Sequence, residues 1–470
     1  MTTSALFVDL YEIAMLRAYF ELGLAERRAA FGLFVRRLPP SRNFLLACGL
    51  ADLLKELKAF RYEEDDLRYL ASLRQFPEDF LNWLAHFRFT GDIRALPEGT
   101  PFFANEPILE VEAPIGEAQI VETLILNQIG LQTILASKAA RMVFAARGRA
   151  IVDFGARRAQ GFDAAVKGAR AFYIAGVAAT SDLAAGRAHD IPVAGTMAHS
   201  FVEACPSESD AFEAYARIFP GTTLLVDTYD TLEGVREVAA LAEEMGDQFD
   251  VRAIRLDSGD LDALSRQARR ILDESGLGAV EIVASGGLDE ARIERLAASG
   301  APIDAFGVGT EMAASTDAPA LDIAYKLVEF AGEGRMKLSP GKRTLPGRKQ
   351  IFRQFHDGVA VRDVMAREGE RYSGVPLLEP AMRAGEVSEP CPSLSRIREH
   401  ARAAMAALPA DVRGLSPCAA PYPVTISVEL AGYEREVEAR LARERRARAA
   451  PHARAAPQPA SARRASASAR

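Results

Sequence analysis

Two residues with reactive side chains, Thr196 and His199, follow directly after the short apolar run Ile191–Ala194. That run contains two β-branched residues and breaks at Gly195, which is typical of a buried strand ending in a loop. Parallel α/β sheets present their chemistry at the carboxyl ends of strands, so this placement suits an imidazole that acts beside a hydroxyl group. A lone loop histidine is more often a hydrogen-bonded surface residue, so the assignment of His199 depends on its surroundings.

Similar polar or glycine-rich stretches follow other short apolar runs of the chain. They hold Gly, Arg, Asp and hydroxyl side chains, whereas the runs before them are apolar, and this contrast indicates an active site. The stretches are Phe154-Gly155-Ala156-Arg157-Arg158, Thr196 to His199, Asp227-Thr228-Tyr229, Arg255 to Asp260, Ser285-Gly286-Gly287 and Gly307-Val308-Gly309-Thr310.

The stretch from Arg255 to Asp260 brings a guanidinium together with carboxylates. Arg255 suits bidentate binding of a carboxylate or a phosphate. Asp257 suits the hydroxyl groups of a sugar, or Mg²⁺. The alternative is an ion pair between these two residues, with Asp260 serving only as the N-cap of the next helix.

Two glycine stretches, one with Gly286 and Gly287 and one with Gly307 and Gly309, each stand between a strand and a helix. Glycine lets the backbone approach a phosphate closely, and the helix N-terminus adds free N–H groups. Adjacent late loops of this kind form the phosphate site of many α/β barrels. The alternative is that the glycines only shape tight loops. Two aromatic residues, Tyr11 and Phe154, are candidates for stacking on an aromatic ligand, although core packing is the other reading of Tyr11.

The elements that must position these residues alternate between strand and helix from Arg149 to about Phe330. Such alternation predicts a parallel sheet with helices outside it. Seven strands, with Ile323–Phe330 as a possible eighth, favour a closed barrel, and a doubly wound sheet remains the alternative. The predicted strands are Ala150–Phe154, Phe172–Ala175, Ile191–Ala194, Thr223–Val226, Ala253–Leu256, Glu281–Ala284 and Asp304–Phe306.

The chain divides by composition and pattern. We expect a mixed α/β domain in residues 1–140, the barrel in residues 141–330, and a segment in residues 331–432 that packs on the N-terminal domain. Residues 445–470 are rich in Ala, Arg, Pro and Ser, so we expect a disordered tail.

Composition excludes several classes of protein. The net charge is −7, and seven arginines lie between Arg445 and Arg470, so the rest of the chain is more acidic than the total and nucleic acid is not the expected partner. The four cysteines form no CxxC pair, which indicates a reducing compartment rather than a zinc or disulfide framework. Without a membrane-length apolar stretch or a signal peptide, we expect a cytoplasmic protein that does not bind a membrane.

The chain resembles the nicotinate phosphoribosyltransferase family in an ordered set of motifs: DLYEIAM, FGARRAQG, GTMAHSF, IRLDSGDL, SGGLDE, GVGT and KRTLPGRKQIFR. The similarity runs from about Leu6 to about Leu430. Val8 stands where the family usually has Thr, and the Ala/Arg-rich tail is not a family feature. The resemblance implies an irregular TIM-like α/β barrel with an additional α/β domain built from both ends of the chain.

It also implies an activity: transfer of phosphoribosyl from phosphoribosyl pyrophosphate to nicotinate, giving nicotinate mononucleotide in NAD salvage. ATP hydrolysis would be coupled through a phosphohistidine at His199, and Mg²⁺ would be required, with ligands that the motifs do not identify. By the family's motifs, Thr196, Arg255 and Tyr11 would contact nicotinate, and Thr310 the phosphoribosyl substrate. The related nicotinamide-specific family stacks its ring between aromatic residues matching Tyr11 and Phe154, with an arginine matching Arg157. There the tyrosine comes from the partner subunit, which implies a homodimer with a shared site.

Three other functions stay open at this point. A phosphate-binding barrel of the isomerase or aldolase type would explain the glycine loops, but it normally needs a Lys or Glu at a strand end. A nicotinamide- or quinolinate-specific phosphoribosyltransferase would share the fold, and quinolinate would need more basic residues around the ring. A non-enzymatic nucleotide sensor has no use for His199 and Asp257.

Overall fold

The structure is a computed structural model of the chain, and it describes residues 5–339 and 344–449. The helices are α1 (Leu10–Glu21), α2 (Leu50–Ala59), α3 (Glu64–Ser72), α4 (Glu78–Leu84), α5 (Ile115–Ile120), α6 (Glu122–Ala145), α7 (Phe162–Ala175), α8 (Leu183–His189), α9 (His199–Ala204), α10 (Glu208–Ile218), α11 (Thr231–Met245), α12 (Leu261–Glu274), α13 (Glu290–Ala298), α14 (Thr310–Ala313), α15 (Leu394–Ala406), α16 (Ala410–Arg413) and α17 (Val428–Ala449), with short 3-10 helices at Ala156–Arg158 and Gly246–Gln248. The strands are β1 (Arg28–Val35), β2 (Leu45–Leu46), β3 (Asp92–Ala95), β4 (Pro101–Phe102), β5 (Pro107–Pro114), β6 (Ala150–Asp153), β7 (Ala179–Thr180), β8 (Thr222–Leu225), β9 (Val251–Leu256), β10 (Glu281–Ala284), β11 (Ala305–Val308), β12 (Ile323–Phe330), β13 (Glu333–Gly334), β14 (Lys349–His356), β15 (Val359–Arg367), β16 (Val375–Pro376), β17 (Glu379–Arg383), β18 (Glu386–Val387) and β19 (Val424–Ile426).

A seven-stranded antiparallel sheet joins segments from both halves of the chain, in the order β13-β12-β1-β5-β3-β17-β18. β1 lies between β12 and β5. The buried ring of Phe31 on β1 stacks on that of Tyr325 on β12, with 4.9 Å between the ring centres. Strand Ile323–Phe330 therefore belongs here, and its expected place as an eighth barrel strand is wrong. An apolar run predicts a strand but does not identify the sheet that the strand joins.

A second sheet has six parallel strands in the order β7-β6-β11-β10-β9-β8. It curls into a half-barrel with β7 and β8 at its edges, so the α/β fold class is confirmed but the barrel is not closed by strand pairing among the described residues. Helices α7, α11, α12 and α13 follow its strands along the chain. The buried side chains of α12 recur at helical spacing and form one face of the helix, which packs toward the sheet. They are Leu261, Ser265, Ala268 and Leu272.

Two predicted strands of the barrel are wrong. Phe172–Ala175 forms the last turn of α7, which ends at Gly176 in the left-handed conformation with φ 115°. Four apolar residues alone do not distinguish a strand from a buried helix end. Ile191–Ala194 runs beside β7 through a single bridge between Thr180 and Val193, because Pro192 has no N–H for a ladder.

The C-terminal part adds a four-stranded sheet, β16-β14-β15-β19, and ends in α17. The buried guanidinium of Arg353 on β14 donates to the carboxylate of Asp363 on β15, and ties the two strands together. Residues 445–449 are helical, so the expected disorder is wrong there, and residues 450–470 lie outside the described residues. Residues 340–343, which include the first two residues of the KRTLPGRKQIFR motif, also lie outside them. The domain boundaries at 140, 330 and 432 stay predictions. No helix within the described ranges is long and apolar enough to cross a membrane.

Candidate active site

The predicted site residues lie where neighbouring parallel strands end. β6, β11, β10 and β9 are adjacent in the sheet, and their carboxyl ends lead into Phe154, Gly309, Ser285 and Asp257. Parallel strands end at the same edge of a sheet, so the loops after them are neighbours. We call this the carboxyl edge.

Arg255 is the central cation of the carboxyl edge. Its side chain is 11% exposed and donates to the carboxylate of Asp257 at 3.3 Å, to the hydroxyl of Ser285 at 3.4 Å and to the carbonyl of Met197 at 3.0 Å. Its Nε–H is buried without an acceptor among the described residues. Desolvation lowers the pKa of Arg255, although the charge of Asp257 opposes the shift. The guanidinium thus keeps donor capacity for a further anion.

Phe154 stands beside that cation because its backbone is fixed on both sides. Its N–H donates to the carbonyl of Val308 at 2.8 Å. The buried carboxylate of Asp153 accepts from the N–H of Gly155 at 2.8 Å and from the hydroxyl of Thr180 at 2.7 Å. At Gly307 a Cβ would lie 2.3 Å from the Phe154 ring, so the glycine makes room for the aromatic side chain.

Asp257 is held by two neighbouring strands. Its N–H donates to the carboxylate of Asp227 at 3.0 Å, and its own carboxylate accepts the hydroxyl of Ser285. The hydroxyl of Ser258 also donates to Asp227, at 2.6 Å. The other Asp227 oxygen, Oδ1, is buried and has no hydrogen-bond donor among the described residues. Asp260, by contrast, accepts from the N–H of Ala263 and is a helix N-cap, as its alternative interpretation predicted.

The loop at Gly286 approaches the preceding strand end very closely. Gly286 has φ 86°, and a Cβ there would lie 1.8 Å from the carbonyl oxygen of Asp257. Gly287 also has a positive φ, of 57°. Arg292, on the first turn of α13, donates to the carbonyl of Gly286 at 3.0 Å and to that of Gly259 at 3.4 Å. Sequence reasoning missed Arg292, because its position on an amphipathic helix gives no signal of this contact.

The second glycine loop begins a helix. Gly309 is the residue before α14, and Thr310 is its first residue. A Cβ at Gly309 would lie 3.3 Å from the carbonyl oxygen of Phe154, so this loop packs directly on the aromatic residue. Both glycine loops therefore adjoin Phe154 or Asp257.

Thr196 and His199 reach the carboxyl edge although the strand predicted before them is absent. The hydroxyl of Thr196 donates to the carbonyl of Met197, which also accepts from Arg255. His199 is the first residue of α9, half-buried, and its Nδ1 lies 3.2 Å from the hydroxyl of Thr228, which follows β8. The histidine thus lies at the β8 side of the edge.

A second residue missed from sequence is Glu208, at the start of α10. Its Oε1 is buried without a hydrogen-bond donor among the described residues. Desolvation, together with the charges of Glu237, Asp227 and Asp230, raises its pKa to about 7. Glu208 is identified only by its closeness to Asp227 in the folded protein, and the spacing of the two residues in the sequence does not show that closeness.

Two predicted site residues stand apart from the group. Arg157 lies in the exposed turn after Phe154, close enough that its charge contributes to lowering the pKa of Arg255. Tyr11 lies on α1 instead, beside Glu12 and Glu122, with 47% of its surface exposed. Desolvation of the Tyr11 hydroxyl by burial raises its pKa, and the negative charges of Glu122 and Glu12 raise it further. Within residues 5–339 and 344–449, no group of three or more His, Cys, Asp or Glu is arranged to hold a metal ion.

Three family profiles match the chain in order. They are the nicotinate phosphoribosyltransferase N-terminal domain over residues 6–130, the nicotinate phosphoribosyltransferase family over residues 149–356, and the C-terminal domain of that enzyme over residues 370–433. The three together include every strand end of the carboxyl edge and α1.

Individual proteins are similar along most of the chain. A nicotinate phosphoribosyltransferase of Mycobacterium tuberculosis, pncB2, is 55% identical over 432 residues, which cover 91% of this chain and 92% of that protein. The enzyme of the same name from Bacillus subtilis is 44% identical over 74% of this chain and 73% of its own. The crystal structure of human nicotinic acid phosphoribosyltransferase superposes with a TM-score of 0.82 at 29% identity, covering 91% of this chain and 99% of that chain.

Proposed function

This chain belongs to the nicotinate phosphoribosyltransferase family, and we propose that its carboxyl edge joins nicotinate to phosphoribosyl pyrophosphate. The products are nicotinate mononucleotide and pyrophosphate, and the reaction is a step of NAD salvage. The observation that carries the proposal is the largely buried guanidinium of Arg255 beside Phe154, 5.9 Å from the centre of that ring.

Arg255 and Phe154 supply the two things that a pyridine carboxylate needs. The guanidinium binds the carboxylate with charge-assisted hydrogen bonds, and the aromatic ring packs on the pyridine. Thr196 adjoins the same place through Met197. Nicotinamide lacks the negative charge, so a desolvated arginine discriminates in favour of nicotinate.

The glycine loops suit the phosphate groups of the second substrate. The backbone at Gly286 packs closely on the carbonyl of Asp257 with Gly287 next to it, and Thr310 begins a helix beside Gly309. The pyridine nitrogen attacks C1 of the ribose while the bond from C1 to the pyrophosphate oxygen breaks, and the leaving group takes the electron pair. N–H groups and guanidinium groups at this edge stabilise the negative charge that develops on the pyrophosphate. Asp257 faces the sugar side and stabilises the positive character of the ribose.

Coupling to ATP is assigned to His199. Its hydrogen bond to Thr228 fixes the ring, and the imidazole is half-buried at the β8 side of the edge. An imidazole nitrogen with a free lone pair is a nucleophile, so the ring would form a bond to the terminal phosphorus of ATP while the bond to the ADP oxygen breaks and ADP leaves.

Mg²⁺ fits the same edge. Mg²⁺ in such sites is commonly held by one or two carboxylates together with substrate phosphates. Asp227 offers a buried Oδ1 that has no hydrogen-bond donor in the described part of the chain, and it lies next to Asp257, which matches that donor set. The cation, when bound, would neutralise charge on the pyrophosphate.

We assign Tyr11 to the active site of a second subunit. It stands with Leu10 on the first turn of α1, Phe7 lies just before the helix, and all three are at least 41% exposed. A homodimer would cover this apolar face and deliver the tyrosine to the partner's carboxyl edge. The four cysteines are free thiols, which supports work in the reducing cytoplasm.

The test is incubation of the purified chain with phosphoribosyl pyrophosphate, Mg²⁺ and one of nicotinate, nicotinamide or quinolinate, with and without ATP. We expect nicotinate mononucleotide as the main product, with ATP raising the yield. Preferential formation of the nicotinamide product, or release of carbon dioxide from quinolinate, would overturn the assignment of the base.

A further inference from the structure

A cavity of about 320 Å³ lies between α6, α7 and α15. Val143 and Phe144 line it from the last turn of α6, Gly176 from the end of α7 and Met405 from α15. α6 ends just before β6 and α7 ends just before β7, so both helices finish at the amino-terminal edge of the parallel strands. None of the carboxyl-edge residues named above lines the cavity, and its volume is at the lower end for small-molecule sites.

The lining of this cavity is apolar and positively charged. Apolar side chains form most of its walls, and arginine is the charged residue that lines it, with no Asp or Glu among its described lining residues. The arginines are Arg42, Arg141, Arg398, Arg402 and Arg413. An apolar site with guanidinium groups complements an anion that has an apolar body.

Three of these arginines already have partners in the protein. Arg42 is ion-paired with Asp317 at 2.7 Å, and Arg141 with Glu290 at 2.9 Å. Arg398 donates to backbone carbonyls at the end of α7, including that of Gly176 at 2.8 Å. These contacts fix the three guanidinium groups as parts of the wall.

Arg402 and Arg413 differ from them. Neither has a hydrogen bond or an ion pair with another side chain in the described part of the chain. The Nε–H of Arg413 is buried without an acceptor among the described residues, and so is the Nε–H of Arg42 in the same cavity wall. A buried donor without an acceptor is costly, and a ligand oxygen placed here would remove that cost.

We propose that this cavity binds a small amphipathic carboxylate. Its apolar part packs against Val143, Phe144 and Met405, and its carboxylate accepts hydrogen bonds from Arg402 and Arg413. Such a molecule does not compete with nicotinate or phosphoribosyl pyrophosphate, because none of the carboxyl-edge residues lines the cavity.

The test is calorimetric titration of the full chain with octanoate, in the presence and absence of saturating nicotinate. We expect saturable binding of one octanoate per chain that nicotinate does not displace. The double variant Arg402→Gln/Arg413→Gln weakens this binding at least about tenfold, because charge-assisted hydrogen bonds are lost. 1-Octanol, which has the same apolar chain and no charge, binds the wild type correspondingly more weakly.

Two further variants separate the site from general effects. Arg270→Gln/Arg383→Gln removes two exposed arginines elsewhere and leaves octanoate binding unchanged. Ala406→Trp fills the cavity from the exposed last turn of α15 and abolishes binding while the thermal unfolding midpoint is retained. Competition between octanoate and nicotinate, equal binding by the Arg402/Arg413 variant, equally tight binding of inorganic phosphate, or no saturable binding by the wild type would each overturn the proposal.

Discussion

The guanidinium of Arg255 lies 5.9 Å from the centre of the Phe154 ring, although β10 and β11 separate their strands in the sheet. Three strand spacings amount to about 14 Å in a flat sheet, so the two side chains meet because the sheet curls and both lean over its edge. The pair places a desolvated cation beside an aromatic face, which is the arrangement that a pyridine carboxylate requires.

Replacing Gly286 with alanine tests the close approach of the first glycine loop. We expect Gly286→Ala to raise the KM for phosphoribosyl pyrophosphate and to lower stability, because the new Cβ would collide with the carbonyl of Asp257. Gly276→Ala is the matched control, since Gly276 has φ 73° and nothing within 4 Å of its Cβ position. The control loses about 1 kcal/mol to backbone strain alone. Urea unfolding and steady-state kinetics measure both effects, and equal losses in the two variants would contradict the clash.

Arg292 is predicted to be a positioning residue for the glycine loops. Arg292→Met removes the donors that hold the carbonyls of Gly286 and Gly259, so we expect a higher KM for phosphoribosyl pyrophosphate with a smaller change for nicotinate. Arg295→Met, on the exposed side of the same helix, is the control. A parallel rise of both Michaelis constants would indicate a general loss of structure instead.

The buried carboxyl group of Glu12 predicts a pH-dependent stability. Desolvation raises its pKa from 4.5 to about 7, and its Oε2 has no hydrogen-bond donor among the described residues. Between about pH 4.5 and 7 the unfolded chain loses this proton while the folded chain keeps it, so the contribution of Glu12 to stability falls as pH rises and levels off above pH 7. Glu12→Gln removes this contribution, and we expect it to stabilise the protein more at pH 8 than at pH 5. Thermal unfolding at the two pH values measures the difference, and an unchanged difference between wild type and variant would refute the assignment.

His199→Asn tests the phosphoryl-accepting role. We expect the variant to keep weak formation of nicotinate mononucleotide and to lose the coupled hydrolysis of ATP, because the amide cannot take a phosphoryl group. His356→Asn, at a largely exposed position on β14, is the control. The ratio of ADP to nicotinate mononucleotide is the readout. An unchanged ratio in His199→Asn would exclude the role.

Much of the architecture follows from local pattern. The runs at β6, β8, β9, β10 and β11 are mostly apolar, and an Asp, Ser or Gly lies at the end of each strand or within two residues after it, so their strand character and the edge that they share are predictable. The aspartates that cap α11, α12 and α13 are predictable for the same reason, since their carboxylates accept from the first N–H groups of each helix.

The rest depends on tertiary contacts that local pattern does not encode. Phe172–Ala175 has the composition of a strand but continues a helix begun ten residues earlier, and Pro192 prevents a ladder that the apolar run around it indicates. Arg292 and Glu208 acquire their surroundings only when separate loops come together, so no spacing in the sequence identifies them. Tyr11 likewise stands apart from the carboxyl edge because α1 packs in the core of the antiparallel sheet and not on the parallel one.

The central claim is that Arg255 binds the carboxylate of nicotinate, and the most direct test is the kinetics of Arg255→Gln against those of Arg252→Gln. Arg252 lies on the same strand, 72% exposed and paired with Glu281. Loss of a charge-assisted contact in a desolvated site predicts that Arg255→Gln raises the KM for nicotinate about 10- to 100-fold and that for phosphoribosyl pyrophosphate far less, with Arg252→Gln like the wild type. Equal increases for the two substrates in Arg255→Gln would contradict the account.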